Sequence, residues 1–155
     1  MTTKKKTSKT EKLLEALRSG HESVRRAAAS NPNATPEVLL IALKDKDIYV
    51  RERAAAHRNA TPEVLLRALK DRSKRVRQKA IHNSIVTPEV LLRAMEHRDE
   101  RVRRNAAANP NTTPEVLLLA LKDRSKRVRK AAKEAIDNNP LLALQVSALQ
   151  GKATS

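Results

Sequence analysis

Thr61-Pro62-Glu63-Val64-Leu65-Leu66-Arg67-Ala68-Leu69-Lys70-Asp71-Arg72-Ser73-Lys74-Arg75-Val76-Arg77 is the stretch on which the fold turns, because most of it returns at a fixed interval. Thr-Pro-Glu-Val-Leu-Leu begins at Thr35, Thr61, Thr87 and Thr113, a step of 26 residues. Val-Arg recurs at Val24, Val50, Val76, Val102 and Val128 with the same step. A fixed period of this size is the mark of a solenoid. One copy is too small to bury its own apolar face, so neighbours must stack to complete a core.

The stretch also shows what each copy builds. Thr at the N-cap, Pro at the first helical position and Glu next to it suit the start of a helix. Val64, Leu65, Ala68 and Leu69 then place an apolar face at helical spacing. This predicts a first helix, A, of about nine or ten residues. Lys44, Lys70 and Lys122 fall in its last turn, where a cation is favoured. A polar turn follows, and Asp47, Ser73, Asp99 and Ser125 are the expected caps of a second helix, B. Helix B carries the valine column and, four residues on, Ala28, Ala54, Ala80, Ala106 and Ala132, small residues that let helices pack closely. It is expected to stop near Asn31, His57, Asn83 and Asn109, with Asn supplying a left-handed backbone.

Outward from these copies the pattern loosens. Residues 1–9 are polar and basic and are expected to form a disordered tail, with Lys4, Lys5 and Lys6 as possible phosphate contacts. The array is expected over residues 10–149, as five A–B pairs and a closing helix from Leu141 to Leu149, with a frayed tail at 150–155. In the third repeat Ile85 and Val86 replace smaller residues and are expected to fill a packing gap. The fold class that follows is all-α: a solenoid of short two-helix repeats with a 26-residue period.

The unit NPNATPEVLLIALKDKDIYVRERAAA, Asn31 to Ala56, resembles a variant leucine-rich repeat. The segment LKDRSKRVRKAAKEAI, Leu121 to Ile136, also resembles a HEAT repeat, with Asp in the turn and Val-Arg opening the second helix. The resemblance covers roughly residues 10–149. It implies a right-handed α-solenoid acting as a scaffold for a partner. Some variant leucine-rich repeat proteins hold an iron–sulfur cluster on cysteines; this chain has no cysteine, so that feature does not transfer. Some HEAT-like proteins are DNA glycosylases with a basic cradle. The cradle is compatible with this sequence, but their aromatic and carboxylate catalytic groups are not found here. The resemblance also implies that Arg25, Arg51, Arg77, Arg103 and Arg129 pair with turn aspartates such as Asp45, Asp71 and Asp123, with His97 breaking the series.

Charge points to the partner. The 155 residues hold 33 Lys and Arg against 17 Asp and Glu, a formal charge of +16. Solubility alone needs about 2–8 charges, so a polyanion is the expected ligand. Five windows in phase, 18–27, 44–53, 70–79, 96–105 and 122–131, hold 23 of the cations and 9 of the acids, a net +14. They cover the A–B turn and the start of helix B, so a basic edge or concave rail is expected. Glu37, Glu63, Glu89 and Glu115 lie on the opposite edge. Five repeats at roughly 8–10 Å each span roughly 40–50 Å, about 12–15 base pairs. The candidate nucleic-acid contacts are Arg26, Arg53, Lys74, Arg75, Arg77, Lys79, Arg101, Arg103, Arg104, Lys126, Arg127, Arg129 and Lys130. Phe and Trp are absent and Tyr49 stands alone, so base stacking is not expected and duplex is favoured over single strand.

Catalytic signals are absent: there is no Ser–His–Asp pattern, phosphate-binding glycine loop or zinc spacing. His57 and His82 fall at nearly equivalent ends of successive B helices. No cofactor is expected. The expectation is a non-enzymatic, monomeric nucleic-acid-binding protein, DNA before RNA. No membrane segment or secretory signal is read in it, and it is expected to be cytoplasmic, nucleoid-associated if it binds DNA. The alternatives are a scaffold or inhibitor gripping an acidic protein and, more remotely, a HEAT-like glycosylase.

Overall fold

The computed structural model describes residues 7–152, and among these every regular element is a helix. The chain divides into two compact units, one ending at Ile85 and one beginning at Val86. The first unit holds α1 (Lys9–Ala16), α2 (Glu22–Ala29), α3 (Pro36–Ala42), α4 (Ile48–Ala55), α5 (Pro62–Leu69) and α6 (Lys74–Ile81). The second holds α7 (Pro88–Met95), α8 (Glu100–Ala107), α9 (Pro114–Leu121), α10 (Lys126–Asp137) and α11 (Pro140–Lys152). Odd-numbered helices are the A type and even-numbered ones the B type, so the architecture is that of a helical-repeat solenoid.

Each unit is two layers thick. In the first, α1, α3 and α5 stack on one another, α2, α4 and α6 do the same, and each A helix packs on its B helix. In the second, α7, α9 and α11 form one layer and α8 and α10 the other. The 26-residue columns are the core. Leu39, Leu65, Leu91 and Leu117 are fully buried, as are Val38, Val64, Val90 and Val116. Val50, Val76 and Val128 of the B helices are fully buried and Val102 nearly so, while Val24, with no earlier B helix among the described residues to cover it, is 41% exposed. Each covered Val or Leu contributes about 1.5–3 kcal/mol. The alanine column is buried throughout and sets the close approach of the B helices.

Local chemistry fixes the helix starts. Thr35, Thr61, Thr87 and Thr113 accept from the backbone N–H three residues on, with Pro at the next position. Asp47, Ser73, Asp99 and Ser125 cap the B helices by accepting from Tyr49, Arg75, Arg101 and Arg127 N–H. The first helix opens at Lys9 with Ser8 and Glu11 in a capping box, just ahead of the expected start. The A helices run 7–8 residues in α3, α5, α7 and α9, shorter than the sequence pattern predicts. The last helix continues past Leu149 to Lys152, where a tail was expected; Lys4, Lys5 and Lys6 lie outside the described residues.

Two expectations are corrected. No described residue has a positive φ, so asparagine does not end the B helices through a left-handed backbone. It acts through its side chain: Asn31, Asn83 and Asn109 accept the N–H two residues on, and Asn83 Nδ2 donates to the carbonyls of Ala55 and His57 in the previous repeat. His57 takes the same role. Its Nδ1 accepts from Asn59 N–H, which leaves the Nε2 proton to donate to Asn31 O at 3.0 Å. Ile85 also fills no gap: it is 38% exposed, whereas Val86 is buried.

Candidate nucleic-acid interface

The arginine after each valine is structural. Arg25 Nε donates to Asp45 Oδ2 at 2.8 Å, Arg51 Nε to Asp71 Oδ2 at 2.8 Å and Arg103 Nε to Asp123 Oδ2 at 2.7 Å. The acid lies twenty residues ahead, in the turn of the next repeat. The same guanidinium caps its own turn: Arg51 Nη1 donates to the carbonyls of Asp45 and Lys46, and Arg103 Nη1 to those of His97 and Arg98. Arg25, Arg51 and Arg103 are each only 5% exposed. Arg103 is held above the usual guanidinium range, chiefly by its hydrogen bond to Asp123. The Asp123 carboxyl is correspondingly held below the usual carboxylate range, first by Arg103 and further by Ser125 N–H, against the opposing effect of burial.

Three of the candidate contacts are ladder arginines that cap their own turns, and of these Arg103 is buried while Arg77 and Arg129 are half-buried. The Arg103 guanidinium is committed to Asp123 and two carbonyls. Arg77 donates to the carbonyls of Asp71 and Arg72, and Arg129 to those of Asp123 and Arg124, in the same turn-capping geometry. In all three, Nη1 is held by carbonyls of the residue's own turn.

A second set of pairs links successive B helices. Arg26 Nε donates to Asp47 Oδ2 at 2.7 Å and its guanidinium lies 4.5 Å from the centre of the Tyr49 ring. Burial alone would raise the Asp47 carboxyl, but the bonds from Arg26 and Tyr49 N–H outweigh it and hold it low. Arg75 also reaches Tyr49, at 5.3 Å, while Nη2 donates to Glu52 Oε2 at 3.1 Å and Nε sits 2.7 Å from Oε1. Arg127 Nη1 donates to Glu100 Oε1 at 3.0 Å, and the Glu100 carboxyl is lowered by Ser125 Oγ first and Arg127 next. Tyr49 thus lies against two arginines while remaining 44% exposed.

The remaining cations are the exposed ones. In the first unit these are Arg53, Lys74 and Lys79; in the second, Arg101, Arg104 and Lys126. All six lie on B helices, and all six are outside every ion pair described above. Lys130 is also exposed and sits 3.6 Å from Glu134, an i,i+4 pair in water that holds it only weakly. Lys74, Arg75, Lys126 and Arg127 were all candidate contacts; the structure separates them, leaving the lysines open and tying the arginines to acids 23 and 27 residues back.

The basic windows of the sequence also covered a further group that the candidate contacts left out, the cations of the A–B turns. Lys44, Lys46, Lys70 and Arg72 are exposed beside the Arg51–Asp71 pair in the first unit, and Arg98 and Arg124 beside Arg103–Asp123 in the second. Their signal was their phase, at the close of helix A or just before each B-helix cap. Among the described residues no group of three or more His, Asp and Glu is placed to hold a metal ion, and no helix is long and apolar enough to cross a membrane.

No family model and no curated protein matches the chain. Among solved structures it is similar to one described as a leucine-rich repeat variant with a novel repetitive protein structural motif. The two share 26% identity with a TM-score of 0.50, over 90% of this chain and 71% of that one. The chain is a helical-repeat protein whose fold resembles that of the leucine-rich repeat variant.

Proposed function

We infer that this chain is a non-catalytic nucleic-acid-binding protein that grips the phosphate backbone with little sequence reading, duplex DNA ahead of RNA. One observation carries this reading. Asp47, Glu52 and Glu100 are taken up by Arg26, Arg75 and Arg127, while Arg53, Lys74, Lys79, Arg101, Arg104 and Lys126 are exposed and lie outside these pairs. Lys and Arg contacts to phosphate give affinity and register without reading bases. The B-helix face carries a single aromatic, Tyr49, already set against two arginines, and this disfavours single strands, whose bases need a series of stacking platforms.

The test is fluorescence anisotropy of a labelled duplex of about 20 base pairs. Replacing the six cations by Gln should weaken binding by at least about a hundredfold, because each cation that no longer meets a phosphate leaves a counterion unreleased, and that release drives association. Helical circular dichroism should not change, since none of the six holds the fold. Undiminished affinity would remove the B-helix face from the interface. Absence of any duplex binding by the wild type at low salt would overturn the reading in favour of an acidic protein partner.

A further inference from the structure

Two cavities of about 500 Å³ occupy equivalent places in the two units, each between successive A–B turns over a buried ladder pair. Such a volume lies within the range of small-ligand sites, roughly 300–1,000 Å³. Their geometry is shared and their charge is not. The first-unit groove is lined by six cations, including Arg51 at its buried pair, and two acids, a net +4. The second-unit groove is lined by three cations and two acids, a net +1.

Two positions stand out in this difference. Lys44 of the first groove corresponds, two periods on, to Glu96 of the second, and Arg67 corresponds to Leu119. The two acids of the first groove are already used. Asp45 accepts from Arg25 Nε and Asp47 N–H, and Asp71 from Arg51 Nε and Ser73 N–H. Lys44, Lys46, Arg67, Lys70 and Arg72 are all exposed and stand in no ion pair. Five like charges around one concave site repel one another at a cost that only a compact multivalent anion offsets well. A diester backbone brings about one charge per phosphate spread along its length, whereas linked phosphates bring several to one place.

We propose that the first-unit groove is a seat for a compact polyphosphate, the chemistry shared by inorganic polyphosphates and nucleoside triphosphates. Lys44, Lys46, Arg67, Lys70 and Arg72 supply the charge, and Arg51, locked by Asp71, forms its rigid floor. The second-unit groove lacks this capacity. The proposal is independent of duplex binding, which uses the B-helix cations.

The experiment is isothermal titration calorimetry of the full chain with sodium tripolyphosphate, and separately with ATP, at fixed ionic strength. The test variant is K44E/R67L, which installs the residues that the repeats of the second unit already carry at those positions, so the repeat is known to tolerate them. The control is K12L/R58E, which changes net charge by the same three units at exposed positions outside both grooves. One tight site per chain is expected, at least tenfold weaker in K44E/R67L and within twofold of wild type in K12L/R58E. Equal affinity for the two ligands identifies the phosphates alone as the recognised group; tighter ATP binding adds the nucleoside to what the groove reads. Equal weakening in both variants, an unaffected K44E/R67L, or no binding of either ligand at 1 mM overturns the proposal. A duplex titration of K44E/R67L separates the two sites, because its DNA affinity should fall far less than that of the six-cation Gln variant.

Discussion

The ladder arginine shows how one residue type serves two purposes according to what faces it. Arg51 and Arg53 are two positions apart on α4, yet one is buried on Asp71 and two carbonyls while the other stands in water. The sequence revealed that the arginine after valine would meet a turn aspartate. It did not reveal which one, because Asp45 lies six residues behind Arg51 and Asp71 twenty ahead, and both sit in equivalent turns. The stack decides: the guanidinium takes the carbonyl of the first and the carboxylate of the second. The pairing has a pH signature that Asp123 exposes. Its folded value is depressed, so its contribution to stability is full above the ordinary aspartate value, about 3.9, and is lost as pH falls through the lower folded value. Asp123→Asn should therefore cost about 3 kcal/mol at pH 7, the lower end for breaking a buried pair. The gap between variant and wild type should close on acidification below about pH 4. Urea unfolding across that range checks it, and a gap that stays constant with pH would place the loss in packing rather than in the ion pair.

At the scale of elements, helix starts were more legible than helix ends. Each start has a named group in the sequence, Thr before Pro or Asp/Ser before the B helix, and those side chains make the capping bonds. Two of the B-helix ends instead have partners in another repeat: Asn83 reaches Ala55 and His57, and His57 reaches Asn31, none of which is local in sequence. That is why the backbone reading of asparagine failed while its position was right. The alanine column was legible for a different reason, since only a small side chain repeated in phase leaves room for helices to approach. Ala106 on α8 is fully buried, and α8 packs directly on α10. Ala106→Leu should overpack this contact and destabilise the chain by about 1–3 kcal/mol, lowering the urea midpoint with little change in slope. Ala27, exposed within α2, is the matched helical site where the same substitution should be nearly neutral. Equal effects at the two positions would mean that helix propensity, not packing, sets the cost.

Across the whole molecule, the total charge was legible and its availability was not. A formal +16 says that a polyanion will be attracted, but ion pairs spanning 20 to 27 residues decide which cations remain to meet it. The candidate B-helix contacts outside any ion pair number three in each unit, and this makes the salt dependence of duplex binding a count of what engages. Each phosphate neutralised contributes about 0.9 to the slope of log affinity against log salt on B-form DNA. Engagement of one unit's three cations predicts a slope of about −3; engagement of all six predicts about −5. Anisotropy titrations between 50 and 200 mM salt distinguish the two, and triple-Gln variants of Arg53, Lys74 and Lys79, or of Arg101, Arg104 and Lys126, assign the contribution of each unit. A slope near −5 that drops to about −3 in either triple variant means both units lie on the duplex. A slope near −3 that only one triple variant abolishes means that one unit carries the binding. A slope unaffected by either would show that the phosphates meet the turn cations instead, and would move the interface from the B-helix face to the A–B edge.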